Sequence, residues 1–225
     1  HQPRRQRQMC IRDRYREARK NERSEEDGQV VAQDGENDEI SSIVKRACEG
    51  LEDVGSQQLI EEIRNASYDG MSEKDLADCM VISARTMVEK EPNYSYVTAR
   101  ILLNNIENEV LDFLEIDRKL KSDRTKMYSE ALTKTFNKGI ELGFLNKELK
   151  EFDLEKISNS IDESRDFNFT YLGLQTLYDR YFITSDDTRY ELPQVFLMRV
   201  AMGLAINEKD RDCLLYTSPS PRDSN

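Results

Sequence analysis

Apolar residues are sparse at the start of the chain and become periodic from Asp38 onward. Ile40, Ile43, Val44, Ala47 and Leu51 fall at i, i+3, i+4, i+7 and i+11, one face of a helix. Gly50 and Gly55 punctuate its end. Leu59, Ile60 and Ile63 mark a second short helix that ends near Asp69-Gly70. Ser72-Glu73-Lys74-Asp75 is a Ser-x-x-Asp box placed to cap a third, whose face is Leu76, Met80, Val81, Ala84, Met87 and Val88. Pro92 breaks the chain before a fourth, with Val97, Ile101, Ile106, Val110 and Phe113 turned inward.

Beyond Glu115 the pattern predicts a second unit. Tyr128, Leu132, Phe136, Ile140 and Phe144 recur every four residues as one drifting apolar stripe, with Gly139 and Gly143 allowing close approach or termination. Phe152, Leu154, Ile157 and Ile161 form a short amphipathic segment. A helix over Tyr171 to Tyr178 follows, then a loop or hairpin at Ser185-Asp186-Asp187-Thr188, then a closing helix with Pro193 in its first turn. There is no repeat and little strand signal, so the fold class is mainly α. The predicted organisation is a flexible charged segment at 15–36, a first helical unit at 37–114 and a second at 115–212.

The two ends differ from the rest. Residues 8–14, QMCIRDR, and 213–224, CLLYTSPSPRDS, resemble translated sequencing-adapter DNA, and 1–14 and 213–225 are read as foreign. A basic nucleic-acid arm and a disordered Ser/Pro tail are the competing readings. The whole chain carries a net charge of −11. The first fourteen residues hold five arginines against Asp13 and the last thirteen hold Arg222 against Asp223, which leaves −15 on residues 15–212. So acidic a body disfavours nucleic acid, whose phosphates need clustered Lys and Arg. The longest apolar run, Val195 to Ile206, is interrupted by Arg199 and is too short to span a bilayer. Cys48 and Cys79 show no pairing pattern, which fits a reducing, cytoplasmic setting.

Several motifs then point to one family. Phe167, Phe169 and Tyr171 are followed by Leu177-Tyr178-Asp179-Arg180-Tyr181, a polar loop, and Glu191-Leu192-Pro193-Gln194. Upstream lie Asp27-Gly28-Gln29-Val30-Val31, Glu39-Ile40, Gly50-Leu51, Tyr68-Asp69-Gly70 and Asp75-Leu76, then Glu91-Pro92-Asn93-Tyr94 through Leu103. In this order the pieces resemble the large (α) subunit of class I ribonucleotide reductases. The resemblance covers nearly all of 27–210. It implies an ATP-cone-like helical unit at 37–114, then the reductase's N-terminal helical domain, with the catalytic barrel absent. The intact parent would reduce ribonucleoside diphosphates by a thiyl-radical mechanism, form homodimers and pair with a small radical-generating β subunit. The family's catalytic cysteines and relay tyrosines come later than this match, so no catalytic residue is assigned.

The family's effector is ATP or dATP, and here the resemblance departs from its pattern. Glu25-Glu26 stand where a Lys-Arg pair precedes the first Asp-Gly, and Glu39 where a lysine precedes the isoleucine. Glu73 and Ala77 replace a polar donor and a histidine, and Asn108, between Glu107 and Glu109, replaces a late lysine. Carboxylates at such places repel phosphate, so the reading is a retained fold with a dead nucleotide site and no cofactor. Lys45 and Arg46 remain the candidate phosphate contacts.

The other constellations do not assemble. His1 is the only histidine, so neither a Ser-His-Asp triad nor an imidazole metal site is available in the body. Cys48 and Cys79 read as small buried hydrophobes. Glu61-Glu62, Asp153 with Glu155, and Asp162-Glu163 read as solvated faces. Tyr171, Tyr178, Tyr181 and Tyr190 read as core-rim residues with their hydroxyls in water. Met198, Met202 and Leu204 read as packing. The alternative function is a stand-alone nucleotide-sensing or protein-interaction module. A nucleotide-sensing repressor of that kind would add a zinc ribbon with paired Cys-x-x-Cys motifs, and this sequence has none.

Overall fold

The computed structural model describes residues 33–68 and 70–207. The ends read as foreign, the charged segment up to residue 32 with its Asp27-Gly28 motif, and Asp69 lie outside the described residues. Two compact units are separated after Glu39. Of the first, only the opening turns of a helix are described. That helix, α1, runs Gln33–Cys48. It therefore begins inside the segment predicted to be flexible, because a polar helical turn leaves no apolar period to read.

The second unit continues α1 and adds α2 (Ser56–Ala66), α3 (Glu73–Thr86), α4 (Tyr94–Phe113), α5 (Arg124–Glu141), α6 (Leu154–Ser158), α7 (Tyr171–Arg180) and α8 (Pro193–Ala205). Short 3-10 turns at Met87–Glu89, Arg118–Ser122, Lys147–Glu151 and Glu163–Asn168 link them. The sheet is one hairpin, β1 (Thr184–Ser185) with β2 (Thr188–Arg189). Its two turn residues, Asp186 (φ 48°) and Asp187 (φ 63°), are both left-handed, the geometry a two-residue hairpin requires. The mainly α class holds.

Local chemistry sets the helix ends. Ser72 caps α3 by accepting from the Asp75 amide at 3.1 Å, while its hydroxyl donates to the Asp75 carboxylate at 2.8 Å. Asp123 caps α5 by accepting from the Lys126 amide at 3.2 Å. Pro193 opens α8.

Helix α4 is the centre of the unit. It buries residues on almost every side, among them Val97, Ile101, Leu103, Ile106, Val110 and Leu111, and packs against both α3 and α7. Each such side chain contributes about 1.5–3 kcal/mol on burial. The core is continuous from Ile40 to Ala205. The predicted boundary at 114/115 has no counterpart as a break in it: Leu114 and Ile116 are both buried, and Glu115 only turns the chain (φ 53°).

Two predicted core positions are corrected. Phe144 leaves the α5 stripe and is exposed, because the helix ends at Glu141 and Gly143 (φ 78°) reverses the chain. The amides of Phe144 and Leu145 both return to the Gly139 carbonyl, and Leu145 packs back against the core. Leu204, read as packing, is 74% exposed, and Leu197 and Val200 join it on an outward face of α8.

Candidate functional site

Three described carboxylates are almost fully buried: Glu191, paired with Arg199 of α8 at 2.5 Å, and Glu107 and Asp166, which meet around the start of α5. Arg124, in its first turn, bridges Glu107 of α4 and Asp166 of the 163–168 turn. It donates to a Glu107 oxygen through Nη1 and reaches Asp166 Oδ2 through Nη2 at 3.1 Å. Glu107 and Asp166 are almost fully buried. One turn along α5, the buried Tyr128 hydroxyl donates to Asp166 Oδ2, and Gln194 of α8 donates to Oδ1 at 2.9 Å. Lys121, just upstream, places Nζ 3.4 Å from Glu107 Oε2 and donates to Asn104 Oδ1 (2.7 Å) and Asn108 Oδ1 (2.8 Å). The network joins α4, α5, α8 and two 3-10 turns through hydrogen-bonded charge.

Burial and pairing pull these groups in opposite directions. Burial pushes the Asp166 carboxyl up to about 6, and Glu107 adds to this, against the pull of Tyr128, Gln194 and Arg124. Burial drives the Tyr128 hydroxyl well above its ordinary range. Lys121 is lowered by burial, although Glu107 opposes this. For Arg124 burial acts downward, and the charges of Glu107, Tyr128 and Asp166 together outweigh it and raise the guanidinium.

Outside this core sits a second group. Arg118 donates to Glu73 at 2.8 Å and to Asp112 at 2.5 and 2.8 Å, in an exposed setting where each pair adds little stability. Beside the buried network a cavity of about 260 Å³ is lined by Arg46, Glu49, Arg100, Glu107, Lys121, Arg124 and Phe167, with apolar contacts from Ile43, Ala47 and Leu103.

The structure separates the two candidate phosphate contacts. Lys45 is exposed and does not line this cavity, whereas Arg46 does, with Nε 3.4 Å from the Ser42 carbonyl. The positions where the resemblance implies phosphate-facing groups are engaged internally: Glu73 by Arg118, Asn108 by Lys121. Neither neighbour of Asn108 is a bare charge. Glu107 sits in the buried network, and Glu109 accepts from the Tyr178 hydroxyl (2.7 Å) and the Arg189 amide (2.8 Å).

Two of the tyrosines read as having their hydroxyls in water are corrected. Tyr190 is fully buried, stacked on Phe113 with ring centroids 4.9 Å apart, and its hydroxyl is shielded from water. Burial pushes that hydroxyl up to about 12. Tyr178 uses its hydroxyl on Glu109. Cys79 is buried and Cys48 half-buried, and burial raises both thiols, which disfavours thiolate chemistry.

With this geometry in view, comparison with known proteins is direct. Residues 167–221 match the family model described as "Ribonucleotide reductase, all-alpha domain". The chain is 36% identical over 195 residues to the ribonucleoside-diphosphate reductase subunit alpha of Chlamydia muridarum, an alignment covering 84% of this chain and 18% of the relative. The corresponding subunit of Chlamydia trachomatis is 36% identical over 220 residues, covering 88% of this chain and 20% of that protein. The Helicobacter pylori subunit is 32% identical over 174 residues, covering 76% and 20%.

The chain belongs to the ribonucleotide reductase large-subunit family.

It corresponds to an N-terminal stretch of that subunit and spans about a fifth of the length of the curated relatives it matches. The matched range runs on to residue 221, past the limit of 212 predicted for the native sequence. Within this reductase stretch, the matched domain supplies Asp166's neighbour Phe167, the hairpin and α8.

Lys121, Arg124 and Asp166 were not singled out from the sequence, and Arg100 and Glu107 entered only as parts of the family motifs, Glu107 as a phosphate-repelling neighbour of Asn108. One signal was available for Glu107. Leu103, Glu107 and Leu111 share a spacing of four on the inward face of α4, and a carboxylate on such a face requires a buried partner. The partners sit on other elements and have no local signature. Among the described residues no helix is long and apolar enough to cross a membrane. No group of three or more His, Cys, Asp or Glu among them is placed to hold a metal ion.

Proposed function

We propose that this chain is the non-catalytic, N-terminal helical part of an enzyme that reduces ribonucleoside diphosphates to deoxyribonucleoside diphosphates for DNA synthesis. The observation that carries the reading is identity of 32–36% to reductase α subunits, spread over most of the chain. The parent works in the cytoplasm, forms homodimers, receives its radical from a small metal-containing β subunit and takes its electrons from cysteine pairs. The role of this part is to hold a rigid helical body together, and the inward-facing charges on α4 and α5 support that role. The test is an assay of the chain with a β subunit and a dithiol reductant, for which no deoxynucleotide above a no-protein control is expected. Product above that control contradicts the non-catalytic reading.

The proposal extends to the family's effector. ATP and dATP bind this part weakly, because Glu39, Glu73 and Asn108 replace attractive groups, and Glu73 and Asn108 are occupied by Arg118 and Lys121. Exchanging one charge-assisted hydrogen bond for repulsion costs about 1.5–3 kcal/mol, and each 1.4 kcal/mol is about tenfold in affinity. Calorimetric titration with dATP is expected to give no saturable isotherm at low-micromolar concentration. Such an isotherm would reinstate an active allosteric site.

A further inference from the structure

Helix α4 packs against both α3 and α7, and where the three meet lies a pocket of about 240 Å³. Its floor is apolar: Leu102 and Ile106 of α4 and Val81 of α3 line it and are buried. Tyr171 and Tyr178 of α7 form one wall, and Ile82 of α3, 54% exposed, stands at the rim. Apolar and aromatic surface thus makes up most of a concave space with a few polar groups at its edge, the make-up of a small-ligand site.

Those polar groups are Asp78 of α3, Asn105 and Glu109 of α4 and Gln175 of α7. What they offer a ligand is one-sided, because the chain has already used their donors. Asn105 Nδ2 donates to the Ala77 carbonyl at 3.1 Å, and Gln175 Nε2 to the Asp179 carboxylate at 2.9 Å. Both partners can only accept, which fixes the two amide orientations and leaves each side-chain oxygen open to a donor. The Tyr178 hydroxyl is spent on Glu109, whose other contact is the Arg189 amide, so lone pairs remain on that carboxylate. Asp78 makes no hydrogen bond or ion pair with any described residue, and Lys74, one turn back, acts on it through space alone.

No lysine or arginine among the described residues lines the pocket. Arg189 turns its guanidinium to the Tyr178 and Asp187 carbonyls. Two carboxylates therefore share the space without an ion pair to either. Burial raises the Asp78 carboxyl, and burial, Glu109 and Asp78 all raise the Tyr178 hydroxyl. An ammonium group carries donors and no acceptor, and aromatic faces attract it. The Tyr171 ring already holds one cation, Arg85, 5.5 Å from its centroid.

We propose that this pocket binds a small aliphatic ammonium ion, with its apolar body on Leu102 and Ile106 and its head group among Asp78, Glu109 and the open amide oxygens of Asn105 and Gln175. Such a cation supplies donors where the chain leaves only acceptors, and it neutralises charge that no side chain offsets. The pocket is smaller than the roughly 300 Å³ at which drug-sized sites begin, which suits a chain of a few carbons. It opens to water at the Ile82 rim, so the affinity is modest. The same lining repels phosphate. The site does not rest on the reductase reading.

The test is calorimetric titration of the 225-residue chain at constant ionic strength with butylammonium chloride, Nα-acetyl-lysine amide and, as uncharged reference, n-butanol. Saturable butylammonium binding is expected, and none for butanol. Asp78→Asn is expected to weaken it at least about tenfold through loss of a charge-assisted partner. Asp78 is exposed and bonded to nothing described, so its replacement leaves the fold intact, which circular dichroism checks. Glu62→Gln, which removes an equal charge from exposed surface of α2 outside the pocket, is expected to bind as the parent does. Tighter binding of the lysine amide assigns the site to a lysine side chain, and equal or weaker binding assigns it to a free amine. No saturable heat, butanol binding as tight as butylammonium, unchanged binding in Asp78→Asn, or equal loss in both variants overturns the proposal.

Discussion

Arg124 Nη2 stands 3.1 Å from Asp166 Oδ2, a contact between residues 42 positions apart that ties the start of α5 to the turn before α7. With Glu107 on its other side, Arg124 holds two buried carboxylates at once. Its replacement by Met is therefore expected to cost about 3–5 kcal/mol, the range for a buried charge stripped of its partner. Arg118→Met, which removes the exposed pairs to Glu73 and Asp112, should cost under about 1 kcal/mol. Urea denaturation of both variants checks this, and equal losses would show that burial does not distinguish the two clusters.

The elevated Asp166 carboxyl makes stability depend on pH in a defined direction. Its folded value of about 6 lies above the ordinary 3.8, so the folded protein holds this proton more tightly than the unfolded chain. The resulting stabilisation is complete below the unfolded value and is lost as pH rises through 6, on the order of 3 kcal/mol in all. Asp166→Asn removes that dependence. Unfolding free energies measured from pH 4 to 7.5 should show the parent losing stability relative to the variant as pH rises. A flat difference, or one of opposite slope, contradicts the assignment.

Gly139 is required by packing. A Cβ there would meet Leu145 Cδ1 at 2.6 Å and Cγ at 2.7 Å, where the chain folds back at the end of α5. Gly139→Ala should destabilise by about 1–3 kcal/mol through overpacking. The paired change Gly139→Ala with Leu145→Ala should recover part of the loss, and thermal melts of the two variants measure the difference.

Much of the helical frame was legible because local rules govern it. Leu59, Ile60 and Ile63 follow the period of a buried face, and Ser72, Pro92 and Pro193 mark helix boundaries. The end of α5 was misread because Phe144 continues a four-residue spacing in sequence, although Gly143 has already ended the helix. The charged network was illegible for a different reason. Glu107, Arg124 and Asp166 look like ordinary surface charges, and only the tertiary fold brings them together in a buried place. Lys45 and Arg46 are adjacent in sequence, but only Arg46 reaches the cavity.

If this stretch is an interchangeable structural part of a reductase α subunit, as proposed, it should work inside a relative. The most direct measurement is the activity of a chimera in which residues 40–206 replace the matching stretch of the Chlamydia muridarum subunit, assayed with its β subunit and a dithiol reductant. Deoxynucleotide formation within about tenfold of the unmodified subunit is expected, a change of at most about 1.4 kcal/mol in the barrier. A folded chimera that pairs with β but makes no deoxynucleotide would contradict it.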